Sequence, residues 1–172
     1  IYDYKNVEFF IKNINHNFCQ LVTADGGFDY SEDYNSQELS SYKLLYSEIY
    51  IALNIQKIGG SFVIKFFDLF TYKTIQLIYI LYLCYSKIEI YKPLTSSLSN
   101  SEKYIICSDF VGCEKKIKDT LKIYFNKCEA LHINIPETFL DDINKFNDIF
   151  VSSQMSSKEL ILELINKNKK ID

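Results

Sequence analysis

The sequence predicts an α/β fold with a mostly parallel sheet, an antiparallel strand at the sheet edge and a helical layer at the C-terminal end. Short β-branched and aromatic runs alternate with helical periodicities of roughly 12 to 20 residues, which is typical of a parallel sheet. The last two predicted strands have no helix between them, and the pattern after Gly112 is helical throughout. With 172 residues, 48% of them hydrophobic, the chain can form one core of ordinary size.

Apolar spacing predicts the individual elements in chain order. The strands are expected at 21–24, 61–67, 88–93 and 103–107. The helices are expected at 6–14, 39–55, 71–86, 114–128, 139–150 and 156–168. Gly59-Gly60 is expected to end the second helix, and Ser156 or Ser157 to cap the last one. Polar residues predict loops at 28–36 and 95–101.

Composition excludes several classes of protein. A formal charge of -3 argues against a strongly basic nucleic-acid binder, so any RNA contact must be local. The 5 cysteines are odd in number and form no CxxC pair, which predicts neither a disulfide framework nor a zinc site. His16 and His132 have no partners at metal-ligand spacing. The apolar run 75–85 falls short of the roughly 20 residues that span a bilayer, and we expect a buried helix there.

Three charged residues lie where buried strands should end or begin. Asp25 follows LVTA, Lys65 follows FVI, and Glu102 precedes KYIIC. Open α/β sheets collect active-site residues at the carboxyl ends of their strands, so these side chains can converge on one site. Each also has a simpler interpretation: Lys65 as an ion-pair partner of Asp68, Asp25 as a turn residue, and Glu102 as a surface carboxylate.

The segments around these residues are LVTADGGFDYS, GGSFVIKFFDLFT and KPLTSSLSNSEKYIIC. In this order they resemble the FtsJ-like (RrmJ) family of S-adenosylmethionine-dependent RNA ribose 2′-O-methyltransferases, and within it the mRNA cap-1 enzymes. The resemblance covers about residues 20–110, and more weakly INIPETFLDDINKFNDIF. It implies the C-terminal half of a Rossmann-like methyltransferase sheet at 1–112, followed by a helical extension at 113–172.

The family uses a Lys-Asp-Lys-Glu tetrad, and the resemblance assigns its last three members to Asp25, Lys65 and Glu102. The first lysine and the Gly-rich cofactor turn are expected before Ile1, so the chain resembles a half-site. Ala24, Asp25 and Gly26 are expected to lie against the methyl donor, S-adenosylmethionine. Ser97 stands where the family usually has an arginine.

The residue types suit methyl transfer to a ribose. A 2′-hydroxyl is a weak nucleophile, so the protein must orient it and accept its proton, and Lys65 is the candidate base. Asp25 and Glu102 would orient the Lys65 ammonium.

RNA contacts are expected from the serine loop and its flanks, at Lys92, Ser96, Asn100, Ser101 and Lys103. A series of lysines is expected on a solvated helix face, with an RNA-backbone contact as the alternative: Lys115, Lys116, Lys118, Lys122 and Lys127.

The resemblance therefore implies a 2′-O-methyltransferase acting on the first transcribed nucleotide of capped mRNA, in the nucleus, with a cytoplasmic location as the alternative. Two other functions stay open: a ribosomal or transfer RNA 2′-O-methyltransferase, and a non-catalytic RNA-binding scaffold of the same fold. We expect these 172 residues alone to be inactive.

Overall fold

The computed structural model describes residues 1–14, 19–28, 36–127 and 129–168. His16, Cys128 and most of the predicted loop 28–36 lie outside the described residues. The helices are α1 (Tyr4–Asn13), α2 (Gln37–Ile55), α3 (Tyr72–Cys84), α4 (Lys115–Tyr124) and α5 (Glu137–Asn168). The strands are β1 (Cys19–Ala24), β2 (Gln56–Phe66), β3 (Tyr85–Tyr91) and β4 (Lys103–Phe110). The predicted α/β class is confirmed.

The four strands form one sheet in the order β1-β2-β4-β3. β1 pairs with β2 in parallel, and β4 pairs with both β2 and β3 in the antiparallel sense. Three strands therefore point the same way and β4 runs against them. The predicted antiparallel pair is present as β3 and β4, and β3 lies at the edge of the sheet. The strand that runs in the opposite direction, β4, lies between β3 and β2.

The prediction that Gly59-Gly60 ends α2 is wrong, since both glycines lie inside β2. The helix ends at Ile55 because the backbone of Gln56 is already extended, with φ -68° and ψ 133°. The Gln56 side-chain amide then donates to the carbonyls of Cys19, Gln20 and Ser61 across an irregularity in the β1–β2 register. Gly59 adopts a left-handed φ of 78°, a conformation that glycine tolerates without strain.

The core lies between the sheet and the helices α2 and α3, whose apolar residues are almost continuously buried. The prediction of a buried helix over the apolar run 75–85 is confirmed by α3. Among the described residues, no helix has the length and apolar character needed to cross a membrane. Phe125 joins the C-terminal segment to this core, where it contacts the rings of Tyr4, Tyr46 and Tyr50.

The prediction of separate helices at 139–150 and 156–168 is wrong, because α5 continues through both. Ser156 does not cap a helix; its hydroxyl donates to the carbonyl of Ser152 one turn earlier. Serine satisfies its hydroxyl in this way inside a helix, so a serine pair does not have to end one. In the first half of α5, Asn147 donates to the carbonyl of Leu69, which lies in the segment that follows β2.

Candidate active site

The sheet brings the three predicted charged residues to one edge. Asp25 follows β1 and Lys65 lies at the end of β2, so parallel pairing places both at carboxyl ends of strands. Because β4 runs the opposite way, Glu102 at its amino end reaches the same edge. The Lys65 ammonium lies 3.0 Å from Asp25 Oδ1 and donates to the Asp25 carbonyl at 3.2 Å.

Tyr104 connects the two acids, and the sequence analysis did not single it out. Its hydroxyl donates to Asp25 Oδ1 at 3.1 Å and to Glu102 Oε1 at 3.4 Å. In the β2–β4 register Tyr104 is also the direct partner of Lys65. Residues two apart in a strand share a face, so the position of Glu102 in NSEKY already contained the signal for Tyr104.

The carboxylates perturb the Tyr104 hydroxyl. Partial burial, together with the negative charges of Glu102 and Asp25, raises the pKa of Tyr104 to about 12. The hydroxyl therefore stays protonated at neutral pH, and the two carboxylates share its single proton, with Asp25 as the nearer acceptor. Asp25 thus accepts from both the Lys65 ammonium and the Tyr104 hydroxyl, while Glu102 lies on the other side of that hydroxyl.

The two glycines after Asp25 allow close approach by two different side chains. A Cβ at Gly26 would come within 2.5 Å of Glu48 Oε1 and 2.8 Å of Leu44 Cδ2, both on α2. A Cβ at Gly27 would instead lie 3.2 Å from the Lys65 ammonium. The glycine pair thus permits the turn after β1 to touch helix α2 on one side and the strand-end lysine on the other.

Lys103 does not have the position that an RNA contact requires. Its side chain is only 3% exposed, and its ammonium lies 3.1 Å from Asp68 Oδ1 and donates to the Ser101 carbonyl at 2.7 Å. A buried ammonium with these partners does not reach a phosphate, so the predicted RNA contact is corrected to a structural ion pair. Burial lowers the pKa of Lys103, and the Asp68 carboxylate opposes this shift. The simpler interpretation of Lys65 as a partner of Asp68 is wrong as well.

Other predicted RNA residues hold the serine loop together. The Lys92 ammonium donates to the carbonyl and the side-chain oxygen of Asn100 and to the Glu102 carbonyl. Ser96 donates to the Asn100 side chain at 3.4 Å, while Ser101 donates to Gln37 Oε1 of α2 at 2.6 Å. Burial, and to a smaller extent the charge of Lys103, lowers the pKa of Lys92. These bonds fix the loop that leads into Glu102.

The segment after β2 is fixed by a second carboxylate of α2. Glu38 accepts hydrogen bonds from the backbone amides of Phe70 and Thr71 and from the Thr71 hydroxyl. Thr71 thus begins α3 with its side chain bonded to another helix. These hydrogen bonds fix the position of Phe70 and Thr71 in the segment that follows Lys65.

The FtsJ-like methyltransferase family model matches residues 1–110. The chain belongs to this family. It is 32% identical over 169 residues to cap-specific mRNA (nucleoside-2′-O-)-methyltransferase 1 of Xenopus laevis, covering 92% of this chain and 20% of the relative. It is also 35% identical over 147 residues to cap-specific mRNA (nucleoside-2′-O-)-methyltransferase 1A of Caenorhabditis briggsae, covering 82% of this chain and 16% of the relative.

The chain is also similar to a solved structure from Plasmodium falciparum, which is provisionally named a ribosomal RNA methyltransferase. The TM-score is 0.48 and the sequence identity is 20%, and the match covers 62% of this chain and 55% of that chain. The chain spans 20% or less of the length of the two curated relatives described above. The candidate site residues all lie within the part of the chain that the FtsJ-like methyltransferase family model matches.

Proposed function

We propose that the protein to which this chain belongs transfers a methyl group from S-adenosylmethionine to a ribose 2′-oxygen of RNA. The observation that carries the proposal is the hydrogen-bonded group of Asp25, Lys65, Tyr104 and Glu102 at one edge of the sheet. It supplies one lysine nitrogen held by acceptors, and in its neutral form this nitrogen can position a hydroxyl and receive its proton.

S-adenosylmethionine would supply the activated methyl group for the 2′-oxygen. Lys65 would first give up its own proton to solvent; its Nζ would then receive the 2′-hydroxyl proton and return to the ammonium form that Asp25 holds. Tyr104 keeps Asp25 in place by donating to Oδ1. Glu102 contacts Tyr104, so it is separated from Asp25 by one further hydrogen bond, and we assign it a positioning role.

The methyl donor would lie against the turn after β1. The backbone of Ala24 and Gly26 and the exposed Asp25 carboxylate form one wall of that site, since 69% of the Asp25 side chain is accessible. These three residues are the donor contacts that we propose within the described part of the chain. We therefore propose that the 172 residues alone neither bind the donor tightly nor turn over, and that 1–112 form the catalytic part and 113–172 the helical extension.

We propose the first transcribed nucleotide of capped mRNA as the substrate, and the nucleus as the location. Support for the capped substrate comes from the relatives, whose names specify cap-specific mRNA 2′-O-methylation, and from a similarity that covers 92% of the chain and so reaches into α5. Lys92, Ser96, Asn100 and Ser101 are proposed as the RNA-facing loop, in which Lys92 acts by shaping the loop.

The full-length protein should be tested with a labelled methyl donor on RNA that is identical except for the presence of the cap. Methylation that depends on the cap, mapped to the first-nucleotide ribose, is the expected result. Equal methylation of uncapped RNA would instead indicate a ribosomal or transfer RNA enzyme. RNA binding without any methyl transfer would indicate the scaffold function, and it would refute the proposed activity.

A further inference from the structure

Glu48 of α2 is a partly buried carboxylate that the reaction outlined above does not use. Its two neighbours on α2, Ser47 and Ile49, are both fully buried. Its Oε1 accepts the backbone N–H of Gly26 at 3.2 Å. This bond joins α2 to the turn that carries Asp25, over a separation of 22 residues in sequence.

The lack of a side chain at Gly26 lets the Glu48 carboxylate approach the backbone of the turn. Because a Cβ at Gly26 would come within 2.5 Å of Glu48 Oε1, only a glycine lets the carboxylate approach this amide. The turn is also tied on its other side, where Lys65 donates to the Asp25 carbonyl. One peptide unit, Asp25–Gly26, therefore gives its oxygen to Lys65 and its N–H to Glu48.

We propose that Glu48 is a positioning residue of the active site, which fixes the Asp25–Gly26 peptide so that Asp25 and Lys65 meet at the sheet edge. This rests on the proposed function. The inference deepens that function, because it adds a residue behind the reacting groups.

The charged groups that face Glu48 are Lys65 from β2 and Asp25 from the end of β1, and their effects on it are opposite. The residues that α1 contributes beside Glu48 are Asn6, Val7 and Phe10, which carry no charge. These and other apolar residues line a cavity of about 330 Å³. Burial there raises the pKa of Glu48 to about 7, while the Gly26 amide and the Lys65 ammonium oppose the shift.

Kinetics of the full-length protein should compare wild type with Glu48→Ala, Glu48→Gln and the matched control Ser47→Ala. Glu48→Ala is expected to lower kcat at least about tenfold, because the peptide that orients Asp25 is released. The KM for RNA should change less than about twofold, since Glu48 does not face the RNA loop. Ser47→Ala removes a hydroxyl that bonds only within its own helix and should match wild type.

Two readouts separate positioning from a general loss of stability. Glu48→Gln keeps an acceptor for the Gly26 N–H, so we expect it to recover most of the activity lost in Glu48→Ala. As pH rises through about 7 and Glu48 ionises, the kcat of wild type should rise by no more than the difference that remains between wild type and Glu48→Gln, and this rise should be absent in Glu48→Gln. An unchanged kcat in Glu48→Ala, or the same rise in Glu48→Gln, would overturn the proposal.

A spectroscopic test does not depend on activity. Asp-Gly occurs once in these 172 residues, so labelling aspartate carbonyls with ¹³C and glycine nitrogens with ¹⁵N selects the Gly26 amide in this chain. Between about pH 5 and about pH 9 its resonance should shift in wild type and stay constant in Glu48→Gln. A Gly26 amide resonance that changes neither with pH nor on substitution of Glu48 would refute the hydrogen bond between Glu48 and Gly26. A wild type without methyl transfer would refute only the proposed function.

Discussion

Two lysines on neighbouring strands have opposite surroundings. Lys65 of β2 is 13% exposed and pairs with Asp25, whose side chain is 69% exposed, at an open edge of the sheet. Lys103 of β4 is 3% exposed and pairs with Asp68, which is 25% exposed. Both ion pairs have nearly the same length, 3.0 and 3.1 Å. The length of the ion pair therefore does not distinguish the proposed base, Lys65, from the buried Lys103.

The difference lies in the surroundings of each ammonium. Lys103 lies 5.6 Å from the centre of the Phe66 ring and 5.3 Å from that of Phe150, and it donates to a main-chain carbonyl. Lys65 instead shares its carboxylate with Tyr104, which a second acid contacts from the other side. A cation enclosed by rings and carbonyls holds the fold together, whereas one beside shared, exposed acceptors can meet a substrate.

The largest expected effect is that of Lys65→Ala on turnover. Removing the proposed base should lower kcat at least about a thousandfold while binding of the methyl donor is largely kept. Kinetics and donor titration of the full-length protein measure both quantities. Lys57→Ala, an exposed lysine on the same strand, is the matched control and should behave as wild type. Loss of donor binding in Lys65→Ala would make Lys65 a structural residue and remove the contrast with Lys103.

Lys103→Ala should act on stability. It leaves the Asp68 carboxylate without its buried partner, which we expect to cost about 3 kcal/mol, or roughly 6 to 12 °C in Tm for a domain of this size. Thermal unfolding followed by circular dichroism checks this. The double variant Lys103→Met, Asp68→Leu should recover much of the loss, because no uncompensated charge is left. If Lys103→Ala melted like wild type, the two lysines would not differ as described.

The smallest expected effect is that of Tyr104→Phe. The ring keeps its packing, but Asp25 loses the donor that links it to Glu102. We expect kcat to fall about tenfold with little change in Tm. Tyr91→Phe is the matched control, since Tyr91 is the exposed neighbour of Tyr104 on β3. Equal kcat values for the two variants would show that the Tyr104 hydroxyl does not support Asp25.

Sequence was sufficient to predict where the site lies. Asp25 and Lys65 follow runs that must be strands, and carboxyl ends of parallel strands meet at one edge. Glu102 precedes a strand, and it reaches the same edge because that strand is antiparallel. The roles of these residues remain predictions, while their proximity follows from the pairing of the sheet.

The partners of the lysines could not be predicted from spacing. Asp68 is three residues from Lys65, but β2 ends at Phe66, and the chain beyond it carries Asp68 to Lys103 instead. Glu48 was missed for a related reason, since its bond to Gly26 depends on how α2 packs beneath the turn. Side-chain pairs of this kind are determined by tertiary packing, which local sequence patterns do not contain.

The position of β4 has a consequence for how the molecule assembles. β4 is the last strand in the chain, yet it lies between β2 and β3, which are joined through α3. The sheet therefore cannot be completed in the order of synthesis, and the facing edges of β2 and β3 stay open until residues 103–110 arrive. Such edges are prone to incorrect pairing, and the distant contacts that close them form slowly. Since β4 also brings Glu102 and Tyr104 to Asp25 and Lys65, these four proposed site residues come together in the step that places β4 in the sheet.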